Sequence, residues 1–341
     1  MTNPAGRRRI GRTAIEVSQL GFGAAPFGNL LADVPDSATR AAVDAARAAG
    51  IAYFDTAPFY GHGLSEHRLG EALRSHPRDG FVLSTKVGRR LKPQADLGRS
   101  PGPFTKTLPF DIEYDYSYDG AMRSIEDSYQ RLGMARIDIV LIHDVTAKWR
   151  GDRFEESYRQ SMDGAFRALS DLRATGTIGA IGVGINDVDT LIRYANDGDF
   201  DCFMLAGRYT LLDTTALPKL LPLCISKQIS ILLAAPYNSG ILATGAVPGA
   251  KYWYADAPPD ILDRVRRIET HCRRHGISIQ AAATQFPLAH PAVASVAAGY
   301  RSPEEVRIAL AACSAPIPPA FWQDLSADGL VDPLAPLPTD E

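Results

Sequence analysis

Short runs of apolar residues alternate with amphipathic segments along most of the chain. Each run is four to seven residues long and rich in aliphatic and β-branched side chains, as expected of a parallel strand that is buried on both faces. The pattern therefore predicts eight strands. In chain order they are Leu20–Gly23, Ala52–Asp55, Phe81–Lys86, Ile137–His143, Ile178–Gly184, Cys202–Leu205, Ile229–Ala234 and Val293–Ala297.

The segments between these runs carry apolar residues at helical spacing. Several begin at a Ser, Thr or Asp that is suited to cap a helix, and several are followed by a glycine that is suited to end one. The predicted helices are Ser37–Ala49, Ser65–Leu73, Tyr118–Leu132, Tyr158–Thr175, Asp187–Tyr194, Thr215–Lys227, Asp260–His275 and Ser302–Ala312.

Eight strands that alternate with helices predict an α/β protein with a parallel sheet. An open, doubly wound sheet usually shows G-x-G-x-x-G directly after an early strand, and Gly21-Phe22-Gly23 lacks the third glycine and the following helix. The pattern therefore favours a closed (β/α)₈ TIM barrel, an architecture that reaches this length as one unit. We predict a single barrel domain over residues 1–341.

Three segments lie outside the repeat. Residues 8–19 predict an N-terminal β-hairpin before the first strand. The stretch at about 88–118 is long and rich in Gly, Pro and aromatic residues, which favours a folded functional loop. The Pro-rich C-terminal extension, Ser314–Glu341, is expected to wrap the barrel around a short helix at Pro319–Leu325.

The composition is that of an ordinary globular protein, with 45% hydrophobic residues, 22% charged residues and a net charge of −3. It gives no reason to expect a nucleic-acid partner, and the longest apolar stretch, Ile229–Ala235, is too short to cross a membrane. The four cysteines are widely spaced, which favours a reduced, cytoplasmic protein without disulfides. No H-x-H or H-E-x-x-H occurs, so no metal is expected. The oligomeric state is left open.

Three predicted strands end in an ionisable residue, namely Asp55, Lys86 and His143. The carboxyl ends of barrel strands open on one face, where active sites lie, so we expect these side chains to converge. Singly, each is more often a turn cap, a solvated lysine or a packed histidine; the coincidence of three favours a site. Tyr60 follows in the adjoining loop, and a nearby Lys86 ammonium, held by Asp55, is expected to lower the pKa of its phenol.

The segment Phe54-Asp55-Thr56-Ala57-Pro58-Phe59-Tyr60-Gly61 strongly resembles the signature of the aldo-keto reductase family. The resemblance continues through Ser84-Thr85-Lys86, the Asp138 to His143 strand and Gly299-Tyr300-Arg301-Ser302-Pro303-Glu304, and covers roughly residues 8–312. It implies a (β/α)₈ barrel and an NAD(P)-dependent oxidoreductase. It also implies a catalytic tetrad of Asp55, Tyr60, Lys86 and His143, in which Tyr60 is the general acid and base while hydride passes between nicotinamide C4 and the substrate.

A narrower resemblance rests on 115–120, on the His143-Asp144 pair and on 182–186. These segments resemble the L-fucose and D-threo-aldose 1-dehydrogenase branch, near L-galactose dehydrogenase and pyridoxal 4-dehydrogenase. The branch implies oxidation of the C1 lactol of an L-fucose-like or D-arabinose-like sugar to the lactone. Two alternatives remain open: a broad aldehyde or pyridoxal-type oxidoreductase, and a non-catalytic cofactor-sensing subunit, since the scaffold also resembles potassium-channel β subunits.

The resemblance also implies where the cofactor binds. Backbone N–H groups at the start of the last barrel helix are suited to hold a phosphate, although Ser302 there is equally an ordinary helix cap. Arg301 and Arg307 fall where the family places cations for the adenosine 2′-phosphate, so NADP is slightly favoured over NAD. The expected cofactor contacts are Gly23, Asn186, Pro236, Gly240, Leu242, Gly299, Arg301, Ser302, Glu305 and Arg307.

Some positions depart from the family pattern. Gly184, Ala206 and Ala234 stand where other members hold or stack on the nicotinamide, so those contacts are not predicted from the resemblance. A small-molecule sugar or aldehyde is the expected substrate, and aromatic side chains are suited to stack on a sugar ring. The candidate substrate contacts are Trp149, Tyr116 and Trp253.

Overall fold

The computed structural model describes residues 2–94 and 102–338. In it, eight parallel strands form a barrel in chain order, and the barrel closes because the last strand pairs with the first. Each observed strand ends within two residues of its predicted bounds. The predicted TIM barrel is thus confirmed. The strands are β1 (Leu20–Gly23), β2 (Tyr53–Asp55), β3 (Val82–Val87), β4 (Ile139–His143), β5 (Ala180–Ile185), β6 (Cys202–Ala206), β7 (Ser230–Ala234) and β8 (Val293–Gly299).

The helices pack around the barrel and bury their apolar faces against it. The α-helices are α1 (Asp36–Ala48), α2 (Leu64–Leu73), α3 (Tyr118–Leu132), α4 (Ala147–Arg150), α5 (Phe154–Gln160), α6 (Arg167–Ala174), α7 (Val188–Asp197), α8 (Leu220–Lys227), α9 (Ile241–Thr244), α10 (Pro259–His275), α11 (Ile279–Leu288), α12 (Pro303–Ser314) and α13 (Pro319–Ala327).

The short helices α4 and α9 were not predicted, and three longer helices differ from the prediction for local reasons. The predicted Tyr158–Thr175 helix is divided by a π-helical segment at Ser161–Phe166, where the Ala165 N–H donates to the carbonyl of Tyr116 instead of continuing the helical ladder. Helix α8 begins later than predicted because Thr215 donates its N–H and its hydroxyl to Asp213 in a local turn. Helix α11 was not predicted, because nearly all of its residues are buried and its few polar residues leave no helical period.

The N-terminal hairpin closes one end of the barrel. Its strands, Arg7–Arg9 and Glu16–Ser18, pair antiparallel as predicted. Ile10 and Val17 are fully buried and pack in one cluster with residues that point into the barrel, such as Leu141. The closed N-terminal end leaves the carboxyl ends of the strands as the open face.

The long loop after β3 is folded into a two-stranded antiparallel ribbon, Arg89–Pro93 with Phe110–Tyr114. The register pairs Arg89 with Tyr114 and brings both to the open end of the barrel. The part of the predicted aromatic loop at 95–101 lies outside the described residues. In the C-terminal extension, α13 packs on α10 through the buried Phe321 and Trp322, close to the helix predicted there. Within 2–94 and 102–338, no helix is both long enough and apolar enough to span a bilayer.

Candidate active site

The open end of the barrel holds a buried ion pair at the ends of β2 and β3. The Lys86 ammonium lies 2.7 Å from Asp55 Oδ2 and donates to the carbonyl of Thr56 at 2.8 Å. The other Asp55 oxygen accepts from the Ser84 hydroxyl at 2.6 Å. The side chains of Lys86 and Asp55 are only 1% and 4% exposed, so each charge is compensated almost entirely by the other.

Tyr60 and His143 lie directly above this pair. The Lys86 ammonium is 4.8 Å from the centroid of the Tyr60 ring, and the rings of Tyr60 and His143 meet edge to face at 5.9 Å. The loop that carries Tyr60 is held by a close backbone approach, since a Cβ at Gly28 would lie 2.5 Å from the amide nitrogen of Gly61. The structure therefore brings the four predicted catalytic residues into one cluster.

The pKa of the Tyr60 phenol is shifted upwards, whereas the sequence predicted that Lys86 would lower it. Burial, followed by the carboxylates of Asp55 and Asp144, raises the pKa of Tyr60 well above that of an ordinary phenol. The expected lowering by Lys86 does not dominate, because Asp55 compensates the lysine charge at contact distance. Tyr60 is therefore a neutral phenol at pH 7, which is the form that can donate a proton.

His143 is held from below and kept neutral. The hydroxyl of Tyr116 donates to the carbonyl of His143 at 2.9 Å. Burial, then the charges of Arg89 and Lys86, lowers the pKa of the imidazole well below its usual range. His143 can therefore serve as a neutral hydrogen-bond donor to a substrate oxygen. Tyr116, which was predicted to contact the substrate, is fully buried and supports His143 instead.

A second buried ion pair, which sequence analysis missed, lies beside His143. The Arg89 guanidinium is 2.8 Å from Asp144 Oδ2, and that same oxygen is 3.4 Å from His143 Nε2. Arg89 is also stacked between the rings of Phe59 and Trp149, with 4.0 Å and 4.4 Å to their centroids. The sequence contains two weak signals for this ion pair. Arg89 follows Lys86 by three residues, and Asp144 directly follows His143. Trp149 thus lies beside the catalytic cluster, and its contact with the substrate stays a prediction.

A cleft of about 420 Å³ runs from the end of β7 to the start of α12. Its walls combine apolar side chains, such as Leu31 and Ile308, with the charged pair Arg301 and Glu305. Ala235 and Ser239, in the loop that forms one wall, have left-handed backbones with φ of 53° and 65°, which is typical of ligand-binding loops. Five of the predicted cofactor residues line this cleft, namely Pro236, Gly240, Gly299, Arg301 and Glu305.

The other five predicted cofactor residues do not line the cleft. Gly23 pairs with Gly299 at the end of the barrel, and Leu242 is fully buried. The carbonyl of Asn186 accepts a hydrogen bond from Arg208. The Ser302 hydroxyl caps α12 by accepting from the N–H of Glu305, and the exposed Arg307 forms an ion pair with Glu304.

A small hairpin, 251–256, brings an aromatic residue of the Tyr252-Trp253-Tyr254 run to the boundary between the cleft and the catalytic cluster. Tyr254 lines the cleft, and its phenol is close enough to Tyr60 and Asp144 to interact with both electrostatically. Its backbone N–H donates to the Ser239 hydroxyl at 3.0 Å. The predicted Trp253 instead stacks on Arg208, 4.2 Å from the ring centroid, on the far side of the hairpin tip.

A barrel whose open end joins this tetrad to an elongated cleft defines a class of nicotinamide-dependent oxidoreductases. Residues 19–327 match the model of the aldo/keto reductase family, and the chain belongs to that family. It is therefore an oxidoreductase that uses a nicotinamide dinucleotide. The non-catalytic alternative is set aside, because curated relatives that match nearly the whole chain are named dehydrogenases.

Two curated relatives match nearly the whole chain. Pyridoxal 4-dehydrogenase from Microbacterium luteolum is 40% identical over 336 residues, which cover 95% of this chain and 98% of the relative. D-threo-aldose 1-dehydrogenase from a Pseudomonas species is 38% identical over 323 residues, which cover 93% and 95%. Among solved structures, the aldo-keto reductase of Bacillus halodurans in its holo form has a TM-score of 0.74 and 24% identity, with 98% of each chain covered. That likeness bears on the fold.

Proposed function

We propose that this enzyme is an NAD-dependent aldose 1-dehydrogenase, which oxidises the C1 lactol of an L-fucose-like or D-arabinose-like sugar to the lactone. The observation that carries the proposal is the convergence of Tyr60 and a neutral His143 over the Lys86–Asp55 pair, next to the cleft. The similarity to D-threo-aldose 1-dehydrogenase supports a sugar as the substrate.

The residues of the cleft fit a dinucleotide. The walls offer apolar surface for ring systems, and the N-terminus of α12 offers the positive end of a helix to a phosphate. Pro236, Gly240 and Gly299 would line the dinucleotide site, and the bound cofactor would supply the acceptor or donor of hydride. Tyr254 and the 235–240 loop border that end of the cleft and are placed to exclude water from it.

Tyr60 transfers the proton of the substrate hydroxyl, and His143 positions the substrate oxygen. In the oxidation, the oxygen of an ionised Tyr60 would accept the proton of the C1 hydroxyl as the C1=O bond forms, and the bound cofactor would supply the acceptor for the hydride of C1. In the reverse direction, neutral Tyr60 donates the proton. His143, neutral at pH 7, donates a hydrogen bond to the same substrate oxygen and fixes its position.

The charges around Arg301 and Arg307, where the adenosine of the cofactor is expected, favour NAD. The two arginines alone had favoured NADP. The backbone N–H of Arg301 donates to Glu305 Oε2 at 2.6 Å, and the Arg301 guanidinium donates to the carbonyl of Leu30. Arg307 is occupied by Glu304. A 2′-phosphate would thus meet the Glu305 carboxylate, whereas a ribose 2′-hydroxyl could donate to it.

A pyridoxal-type aldehyde is the second candidate substrate. It is favoured by the 40% identity to pyridoxal 4-dehydrogenase and by the aromatic mouth formed by Phe59, Phe104 and Trp149, which suits a flat ring.

The test is turnover of purified protein with NAD⁺ or NADP⁺, followed by the near-ultraviolet absorbance of the reduced cofactor. The panel contains L-fucose, L-galactose, D-arabinose, L-rhamnose and pyridoxal. Reduction of NAD⁺ by a sugar supports the proposal. Turnover of pyridoxal alone would replace it by the second candidate, and a preference for NADP⁺ would refute the role given to Glu305.

A further inference from the structure

Only one of the two carboxylate oxygens of Asp144 contacts other side chains of the protein. Its Oδ2 meets both Arg89 and His143, at 2.8 Å and 3.4 Å. Its Oδ1 has no hydrogen-bond partner among the described residues, although the side chain is only 15% exposed. This oxygen is not fully enclosed by the protein, so it is accessible and suited to accept a hydrogen bond from a ligand.

The backbone of Asp144 adds a second cost. Its φ is 53°, in the left-handed region that favours glycine and that asparagine tolerates as well as aspartate. Glycine would relieve this strain, and either residue would avoid burying a charge. The backbone conformation therefore gives no reason for a carboxylate at this position, so its charge is explained by its contacts, namely the buried Arg89 and a ligand that donates a hydrogen bond.

Arg89 is built to hold this carboxylate rather than to bind a ligand itself. Its side chain is 1% exposed and is enclosed by the rings of Phe59, Trp149 and Tyr114. Its position is set by the ribbon, in which it pairs with Tyr114. The enclosed guanidinium compensates the Asp144 charge across 2.8 Å.

We propose that Asp144, held by Arg89, recognises a hydroxyl on the carbon next to the reacting carbon. The argument rests on the proposed function, in which the reacting oxygen lies at Tyr60 and His143 Nε2. Because Asp144 Oδ2 is 3.4 Å from that nitrogen, two oxygens on adjacent carbons can reach both groups at once. The enzyme then selects 2-hydroxy aldehydes and their cyclic forms, and discriminates against 2-deoxy compounds.

The test compares lactaldehyde with propanal, which differ only in this hydroxyl, in the reductive direction with NADH. The wild type is expected to prefer lactaldehyde in kcat/KM. Asp144→Asn is expected to reduce the lactaldehyde-to-propanal ratio about 10- to 100-fold, the range for one hydrogen bond to a charged group. The matched control is Glu113→Gln, which removes an exposed ion pair to Arg90 on the same ribbon and should leave the ratio unchanged.

Each other outcome has a definite meaning. If Asp144→Asn lowers kcat/KM for both aldehydes by the same factor, Asp144 acts only through His143 and the recognition proposal is refuted. If the wild type does not prefer lactaldehyde, the recognition proposal is also refuted, while turnover of both compounds leaves the oxidoreductase in place. If the wild type reduces neither aldehyde and oxidises no sugar, the proposed function itself fails. Unchanged binding of NADH, measured by its fluorescence, shows that the variant is folded.

Discussion

The buried pair of Lys86 and Asp55 makes a quantitative prediction about stability. Asp55→Asn keeps the shape of the side chain but leaves the Lys86 ammonium almost fully buried with only neutral acceptors, such as the carbonyl of Thr56. Breaking a buried pair in this way typically costs about 3–5 kcal/mol. We therefore expect a large loss of stability from a change of a few atoms, together with loss of turnover.

The size of the effect can be expressed as a melting temperature. With an unfolding entropy of roughly 2.1 cal/mol/K per residue and 341 residues, that cost corresponds to a fall in Tm of about 4–7 °C. The assay is calorimetric or circular-dichroism melting at pH 7. The matched control is Asp256→Asn, which removes an exposed partner of Lys251 and should leave Tm unchanged.

A second variant separates the charge from the packing. In Asp55→Asn with Lys86→Met, neither charge of this pair remains, so Tm should recover most of the loss while turnover stays absent. A fall of less than about 1 °C in Asp55→Asn, or a double variant no more stable than the single one, would refute the reasoning that the two charges compensate each other across 2.7 Å.

Three further predictions concern catalysis and cofactor choice. Tyr60→Phe should lower kcat about 10²- to 10⁴-fold with cofactor affinity retained, and a variant keeping a tenth of wild-type kcat would contradict the proton-transfer role. Because burial raises the pKa of Tyr60, sugar oxidation should rise about tenfold per pH unit towards alkaline pH, while aldehyde reduction stays flat; pH–rate profiles in both directions check this. Glu305→Gln should lower the NADP⁺-to-NAD⁺ ratio of Kd values about tenfold, the effect of removing one like charge roughly 6 Å away at a dielectric of about 40. Titration calorimetry of this variant measures the ratio, and the control is Glu113→Gln, which removes an exposed partner of Arg90 on the ribbon and should not change it.

The architecture followed from the sequence because its signals are local. Eight apolar runs, each too short for a helix, alternate with amphipathic segments. The absence of G-x-G-x-x-G after an early strand then favours the closed barrel over the open sheet. The convergence of Asp55, Lys86 and His143 then follows from topology, since strand ends share one face. The family motif around Tyr60 completes the cluster. Helix α11 escaped prediction because complete burial removes the periodic signal.

The pKa values and the ion pairs of the site depend on the tertiary structure and did not follow from the sequence. A lysine predicted to act on Tyr60 is compensated by its contact with Asp55, and burial, which no single residue encodes, sets the pKa of the phenol. Likewise, Arg301 and Arg307 indicate a phosphate site in the sequence, but their distances to Glu305 and Glu304 change the balance of charge.

The sequence by itself therefore determined the barrel and the positions of the four residues at its mouth, because these depend on strand order and on local pattern. The tertiary structure decided which charges face each other. It brings Arg89, from an antiparallel ribbon, and Asp144, from the end of β4, to 2.8 Å across 55 residues of chain. Such a contact depends on how a loop folds back over the barrel, and pairwise charge interactions change steeply over a few ångströms.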